Sequence, residues 1–238
     1  LYLRWFQAAT FLPFFRTHSA LTTTRREPWT YGEPYTSIIR QYLRLRYRLL
    51  PYLYTLAWEA SQSGAPLVRP LFWLDSHQAQ LWTVDDAFLL GDALLIAPFL
   101  ESGQTSRAVL LPRGGWYNFW DDHLYNGGAS LELNGDLEHI PLLVRAGSLL
   151  PLESNGKLEL HLYPPVSEDE TIHSSLFYTD AGDGYGDYRL YQFAIQRQKN
   201  DLYIESRSRG NYPLLIEQSM LVQHGPNLDV TWSEGPPL

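Results

Sequence analysis

Apolar residues in the first third of the chain recur at the spacing of an α-helix. Between Glu33 and Gly64 they return about every 3.6 residues, which places them on one helix face. Pro34 suits the first turn of such a helix, and Gly64 suits its left-handed end. Because Pro51 lacks the N–H of an interior helical hydrogen bond, the pattern predicts either a kink there or two helices that meet there. The predicted apolar face consists of Ile39, Leu43, Leu50, Leu53, Ala57 and Ala60.

Beyond Gly64 the apolar residues form short runs that turn sequences separate. Runs of this length, rich in branched and aromatic side chains, predict β-strands, and glycine-containing turns such as "RGG" at 113–115 divide them. A polar connector over 164–170 precedes a second group of runs. The pattern is typical of two successive β-sandwich modules. The predicted strands are 66–74, 93–100, 107–112, 116–120, 140–152 and 158–164, followed by "SLFYT", "YRLYQFAI", "DLYIESRS" and "PLLIEQSMLV".

The helical segment has no packing partner within this pattern. The apolar stripe of a helix of about 30 residues has to pack against another element, and one flanking strand does not provide it. Since the only methionine is Met220, we expect the chain to be an excerpt of a longer polypeptide that supplies this partner upstream. The surface left uncovered predicts that the chain alone dimerises, exchanges elements or binds the missing part.

Composition narrows the classes of partner. The 238 residues are 45% hydrophobic and 18% charged, with a net charge of −8, which argues against nucleic acid or an anionic membrane as the main partner. No apolar run approaches the roughly 20 residues that span a bilayer. The absence of cysteine excludes disulfides and cysteine-ligated metals and leaves the compartment open. The 8 tryptophans and 16 tyrosines suit either a sugar-binding surface or a large core.

Several phrases together resemble the α-glucosidases and α-xylosidases of glycoside hydrolase family 31. They follow one order over nearly the whole chain, which makes the resemblance far more specific than a single short motif. The phrases are "LYLRWFQAATFLPFFRTHS" (1–19), "REPW" (26–29), "RYRLLPYLYTLAWEASQSGAPLVRPLF" (46–72), "DDAFLLGDALLIAPFL" (85–100), "LPRGGWYNFW" (111–120), "IPLLVRAGSLLPL" (140–152) and, more weakly, "FYTDAGDGYG" (177–186).

The resemblance implies a fold and a division into domains. The resemblance implies that members of that family contain a (β/α)8 TIM barrel, with the active site at the C-terminal face of its strands. A proximal and a distal β-sandwich follow the barrel. The implied fold class is mainly β with a helical N-terminal part: the tail of a barrel followed by two β-sandwich domains. On this sequence residues 1–90 become the last barrel elements, 91–155 the proximal sandwich and 156–238 the distal sandwich.

The resemblance also implies an activity. Family members hydrolyse terminal non-reducing α-linked glucose or xylose with retention, which needs two carboxyl groups about 5 to 5.5 Å apart. In the family both are aspartates that precede the segment matching Leu1, so we expect no catalytic residue in this chain and no turnover by it alone. No metal and no cofactor is expected. The implied partners are an α-glucoside or oligosaccharide substrate and the missing N-terminal barrel portion. Neither nucleic acid nor a membrane is an expected partner, and the resemblance is compatible with a homo-oligomer.

Arg16 and His18 are the candidate substrate-binding residues. His18, in "RTHS", matches the family histidine that hydrogen-bonds sugar hydroxyls in the −1 subsite, and Arg16 matches the arginine beside it. A neutral imidazole donates from one nitrogen and accepts at the other, which suits a hydroxyl group. The alternative is that both are simply polar residues at the end of a barrel strand. A guanidinium at this place could also orient one of the absent aspartates.

Other acidic residues have competing interpretations. The acidic residues of the first ninety positions offer no spacing that requires a catalytic pair, and helix capping explains Glu33; they are Glu27, Glu33, Glu59, Asp75, Asp85 and Asp86. The cluster of Asp180, Asp183 and Asp187 suggests calcium, but it lacks the acidic twelfth position of an EF-hand and a hairpin turn explains it better.

A different class of function remains open beside the enzyme. The chain could be a non-catalytic β-sandwich module that binds carbohydrate or a protein, and exposed rows of tryptophan on a sandwich face would favour it. The stretch "GGWYNFW" over 114–120 could form such a platform or, more simply, a core strand.

Overall fold

The computed structural model describes residues 1–166, 171–182, 185–213, 215 and 219–238. Three α-helices come first, and all the strands follow them, so the prediction of a mainly β fold with a helical N-terminal part is confirmed. None of the helices in these ranges has the length and the apolar character needed to cross a membrane.

The helical segment consists of two helices that meet beside Pro51. Helix α2 (Tyr35–Arg48) and helix α3 (Leu50–Ser63) are separated at Leu49, and Pro51 lies in the first turn of α3, where its missing N–H costs no hydrogen bond. Gly64 ends α3 in the left-handed conformation with φ 77°, as predicted. A further short helix, α1 (Tyr2–Ala9), precedes them and buries Leu3 and Phe6.

Fifteen strands follow within the described residues, and they form four sheets. The strands are β1 (Val68–Arg69), β2 (Phe88–Leu90), β3 (Leu94–Ile96), β4 (Ser106–Leu110), β5 (Gly115–Asn118), β6 (Leu124–Asn126), β7 (Ser130–Asn134), β8 (Leu142–Arg145), β9 (Ser148–Ser154), β10 (Lys157–Tyr163), β11 (His173–Asp180), β12 (Tyr188–Gln198), β13 (Asp201–Gly210), β14 (Met220–Gln223) and β15 (Asp229–Glu234).

The first sandwich is built on a six-stranded sheet in the order β1-β2-β3-β8-β5-β6. Alternate residues of its strands face opposite sides because side chains alternate along a strand. Leu94 and Val144 pack with the three helices in one core, whereas Leu95 and Leu143 pack in a second core with the β4–β7 pair. Both faces of the sheet are therefore buried. The expectation that the helical segment has no packing partner in this chain is wrong, because the helices pack against this sheet.

The second sandwich brings a three-stranded sheet, β14-β10-β9, against a four-stranded sheet, β11-β12-β13-β15. Leu160 and Leu162 of β10 share a core with Phe193 of β12 and Ile204 of β13. Two pairings, β10 with β14 and β13 with β15, are parallel, so each needs a long connection between its strands.

Two predicted strands are wrong in most of their length. In the segment 93–100 only Leu94–Ile96 is a strand. In the segment 66–74 only Val68–Arg69 is a strand, and Leu71–Trp73 is a 3-10 helix. Pro66 and Pro70 lack the N–H that a sheet ladder requires, which limits the pairing to Val68 and Arg69 in the three-residue stretch between them. Residues 167–170 of the predicted connector, and 214 and 216–218 of the last predicted run, lie outside the described residues.

The two expected domain boundaries both fall at β-hairpins. The first lies at the turn 91–93 between the paired strands β2 and β3, and the second lies at the turn 155–156 between the paired strands β9 and β10. The division at these two positions stays a prediction about domains, while the sheets themselves continue through both hairpins.

Candidate functional site

The predicted substrate-binding residues lie in a loop between α1 and α2. Residues 13–20 contain neither helix nor strand, so the idea that Arg16 and His18 end a barrel strand is wrong. Beside them lies a cavity of about 240 Å³ between α1 and this loop. Its lining consists of Tyr2, Trp5, Phe6, Ala9, Phe15, Arg16, Thr17, His18 and Arg26.

Arg46 of α2 holds the beginning of the loop. Its guanidinium donates to the carbonyl oxygens of Thr10 (2.8 Å), Leu12 and Pro13 (3.0 Å). Burial lowers the pKa of Arg46 from its ordinary value. The same guanidinium lies 5.6 Å from the ring centre of Phe15. A single arginine in the middle of the apolar helix face thus satisfies three loop carbonyls that would otherwise lack donors.

Aromatic side chains form the other walls of the cavity. Phe15 meets Phe6 of α1 edge-on, with ring centres 4.9 Å apart and planes at 77°. Tyr2 stacks on Tyr31 at 4.8 Å, and its hydroxyl donates to the carbonyl oxygen of Arg26 at 2.7 Å. These contacts connect α1 with both ends of the loop, so the cavity depends on packing between segments far apart in the chain.

The two candidate residues contact each other directly. Arg16 Nη2 lies 3.0 Å from His18 Nδ1. Because a guanidinium only donates, Nδ1 of a neutral His18 accepts this hydrogen bond and the ring proton is on Nε2. The imidazole therefore presents one donor, Nε2–H, to a ligand. The acceptor nitrogen of the ring is occupied by Arg16, and the role of His18 toward a sugar hydroxyl stays a prediction.

The site is a set of donors beside exposed aromatic rings. Arg16 and His18 are both exposed, and no carboxylate among the described residues pairs with either. Trp5 lines the cavity at 65% exposure, and Trp29 in the same loop is 70% exposed. Donors suit hydroxyl oxygens and flat rings suit the C–H face of a sugar. The arrangement can bind such a ligand, but it contains no acid and base pair.

Five of the six acidic residues of the first ninety positions have other partners. Glu33 Oε2 accepts from the backbone N–H of Ser37 at 3.1 Å, so its helix-capping role is confirmed. Glu27 accepts from the hydroxyl of Thr30 at 3.2 Å. Asp75 is held by Arg113, and that hydrogen bond lowers the pKa of the Asp75 carboxyl.

Two more carboxylates from this group pair with buried arginines. Glu59 pairs with Arg69 at 2.7 Å, and Asp86 pairs with Arg107. Both arginines are almost fully buried, which makes these pairs part of the scaffold. The absence of a catalytic residue from the chain stays a prediction.

Metal binding finds no support in the described part of the chain, where no group of three or more His, Asp or Glu side chains converges. Asp180 accepts from Gly182 N at 2.9 Å and from the hydroxyls of Tyr54 and Tyr178, which accounts for its carboxylate. Asp183 lies outside the described residues. In "GGWYNFW", Trp116 and Tyr117 are buried, so the core interpretation of that strand is confirmed.

Sequence reasoning missed the part of the site that α1 contributes. Tyr2, Trp5 and Phe6 line the cavity, and the apolar spacing of Tyr2, Leu3 and Phe6 was a detectable helical signal. The helix has only 8 residues, which is shorter than the stretch over which such a period is convincing.

Comparison with family models gives two matches along the chain. Residues 1–56 match the glycosyl hydrolases family 31 TIM-barrel domain, and residues 64–150 match the glycosyl hydrolase family 31 C-terminal domain. The predicted fold class, a barrel tail followed by β-sandwiches, agrees with both matches and with the sheets described above.

Curated relatives of the chain are α-glucosidases. An alpha-glucosidase 2 from Bacillus thermoamyloliquefaciens is 34% identical over 237 residues, covering 94% of this chain and 30% of the relative. Neutral alpha-glucosidase AB from Homo sapiens is 33% identical over 100% of this chain and 27% of its own length. The chain therefore spans less than a third of the length of each of these relatives.

Solved structures give the same result. A GH31 alpha-xylosidase from Xanthomonas citri superposes with a TM-score of 0.79 at 28% identity, over 94% of this chain and 26% of that one. A Flavobacterium johnsoniae GH31 dextranase complexed with isomaltotriose superposes with a TM-score of 0.75 at 28% identity, over 83% of this chain and 26% of that one.

Proposed function

Because this chain belongs to glycosyl hydrolase family 31, we propose that it is the C-terminal portion of a retaining α-glycosidase. The complete enzyme hydrolyses terminal non-reducing α-linked glucose or xylose residues of α-glucosides and oligosaccharides. Its catalytic aspartates lie in the N-terminal barrel portion, upstream of the segment described here. This chain contributes one wall of the −1 subsite and the two sandwiches that brace the barrel.

The observation that carries this proposal is the pair formed by Arg16 and His18 beside the 240 Å³ cavity. Arg16 fixes the ring of His18 so that Nε2–H is directed away from their contact as a single donor. Trp5 adds an exposed flat ring at the same cavity. A sugar ring offers hydroxyl oxygens to the donor and a C–H face to the indole.

The division of labour follows from the residues present. A retaining mechanism requires a nucleophilic carboxylate and a carboxylic acid that also acts as base. The acidic residues beside or near this loop already cap a helix or bind neighbouring groups. The chain therefore binds and positions the sugar, and the barrel portion supplies the groups that break the bond.

The test is an assay of the complete enzyme with 4-nitrophenyl α-glucoside and α-xyloside. We expect hydrolysis with initial release of the α-anomer, observed by NMR, and no turnover by the isolated 238-residue chain. His18→Ala should lower kcat/KM about tenfold to hundredfold, the range for loss of a hydrogen bond to substrate. His18→Gln, whose amide NH2 can still donate to a sugar hydroxyl, should recover part of this loss.

His77→Ala provides the matched control, because His77 is an exposed histidine that does not line the cavity. It should leave kcat/KM unchanged. Turnover by the isolated chain that His18→Ala does not reduce would contradict the proposed division of labour. Initial release of the β-anomer would contradict the retaining mechanism.

A further inference from the structure

A second and larger cavity lies where the helices and both sandwiches meet. It has a volume of about 410 Å³ and shares no lining residue with the cavity beside His18. Helix α3, the β2–β3 turn, the β8–β9 turn and the beginning of β11 each contribute to its walls. Its size falls within the range of about 300 to 1,000 Å³ for small-molecule sites, which occur preferentially at such junctions.

One wall of this cavity carries a fixed array of carboxylates. Arg69, only 2% exposed, donates to Glu59 at 2.7 Å, to Asp92 and to the carbonyl oxygen of Pro66 at 2.8 Å. Glu59 and Asp92 remain 28% and 55% exposed. Each carboxylate uses one oxygen on Arg69, so its other oxygen is available to accept a hydrogen bond from a ligand.

An arginine for which no side-chain partner is found in the described part of the chain also lines this cavity. Arg145, at the end of β8, is half-buried, and no carboxylate among the described residues pairs with it. Its backbone N–H donates to the carbonyl oxygen of Ala93 at 2.8 Å, which holds the strand end beside the β2–β3 turn. An arginine side chain carries only donors, so Arg145 can donate to the acceptor atoms of a ligand in this cavity.

These groups define the chemistry of a ligand. The charges of Arg69 and Arg145 balance those of Glu59 and Asp92, so the four groups together are neutral. An anion would meet two carboxylates, and a cation would meet two guanidinium groups. A neutral molecule with many hydroxyl groups can donate to the carboxylates and accept from Arg145 at the same time. Leu56 supplies an apolar wall for its C–H face.

We propose that this cavity binds a neutral polyhydroxylated ligand, a saccharide unit or a polyol. Arg145 donates to its hydroxyl oxygens, and Glu59 and Asp92 accept from its hydroxyl protons. The site is separate from the cavity beside His18 and does not rest on the function proposed above. Its position between the helices and the two sandwiches means that an occupant contacts all three parts of the chain.

The test is titration calorimetry, supported by NMR shift perturbation, of the complete protein with maltose, glucose and inositol. We expect saturable binding that Arg145→Met weakens on the order of tenfold, because the methionine keeps an apolar stem but no donors. Arg209→Met, at an exposed arginine of β13, is the matched control and should bind as the parent does. Inositol binding without maltose or glucose binding assigns the polyol; the converse assigns the saccharide.

A second variant keeps the test independent of the stability of Arg145→Met. Ser174 is an exposed lining residue, and Ser174→Trp should block the cavity and abolish binding while the melting temperature stays that of the parent. The affinities of the 410 Å³ cavity for maltose and for glucose should be unchanged in His18→Ala. Three outcomes would each overturn the proposal. The first is that His18→Ala loses all binding while Arg145→Met retains it. The others are that phosphate or acetate binds more tightly than every polyol, or that no saturable binding is observed.

Discussion

His161 Nδ1 and His224 Nε2 lie 2.8 Å apart, and this contact joins β10 to the segment after β14. The pair continues on both sides: His161 Nε2 lies 2.9 Å from Glu159, and His224 Nδ1 lies 2.8 Å from Asp122 in the loop after β5. The ring of His224 also stacks on Tyr163 at 4.1 Å. A row of four titratable side chains thus connects the two sandwiches.

This row predicts loss of stability in acid. The hydrogen bond from His161 lowers the pKa of Glu159 despite burial, and burial lowers the pKa of His161 against the effect of Glu159. A group whose pKa is lower in the folded state stabilises the fold above its unfolded pKa, about 6.5 for histidine and 4.3 for glutamate. We therefore expect the free energy of unfolding to fall as the pH drops below about 6.5 and again below about 4.3.

Urea unfolding at a series of pH values measures this dependence. His161→Gln should flatten the slope between about pH 7 and 5, because that range is where an unfolded histidine takes up its proton. His77→Gln, at an exposed histidine, should keep the parent slope. An unchanged slope in His161→Gln would refute the assignment.

Gly91→Ala should strongly destabilise the protein. Gly91 has φ 57°, and a Cβ there would lie 2.2 Å from the hydroxyl of Tyr52 and 2.6 Å from Leu56. Strain and overpacking together predict a loss of about 2 to 4 kcal/mol. Gly103→Ala is the matched control, because φ is 75° but nothing lies within 4 Å; it should cost about 1 kcal/mol. Equal losses in the two variants, measured by denaturant unfolding, would contradict the packing argument.

Arg46→Met should release the loop that carries Arg16 and His18. The variant leaves three backbone carbonyls of the loop without their donor, so local opening becomes easier. We expect trypsin to cleave after Arg16, Arg25 or Arg26 about tenfold faster. Arg40→Met, at an exposed arginine of the same helix, is the matched control, and trypsin should cleave its loop at the rate of the parent protein. Equal protection of the loop in both variants would show that Arg46 does not hold it.

The isolated chain should self-associate through its N-terminal face. Trp5 and Trp29 are largely exposed there, and exposed apolar patches favour association. We expect light scattering to show a mass that rises with concentration, and Trp5→Ser with Trp29→Ser to reduce it. Trp82→Ser, at an exposed tryptophan beyond the helices, should leave the mass at each concentration unchanged. A monodisperse monomer at every concentration would contradict the prediction.

Local patterns determined a large part of the fold in advance. The period of apolar residues and Gly64 predicted the helical segment and its end, because helix geometry depends on neighbours three and four residues apart. Pro51 left a kink or two helices open, and the structure has two helices. Strands β9 and β10 followed from two apolar runs and an Asn-Gly turn between them. Pro66 and Pro70 could have predicted that β1 is short, because neither has a backbone N–H. The apolar run around them favoured a longer strand instead.

Only the tertiary structure decided what surrounds these elements. Arg46 meets loop carbonyls more than thirty residues away, and β10 pairs in parallel with β14. The family resemblance of the sequence suggested Arg16 and His18 as candidates, which stays a prediction, but their contact and the resulting ring proton depend on the folded loop. Arg145 and Glu59 line one cavity although no spacing connects them. The periodicity of a sequence depends only on contacts within one segment. Contacts between distant residues depend on how separate segments pack, and many sequences with different packing share the same local pattern.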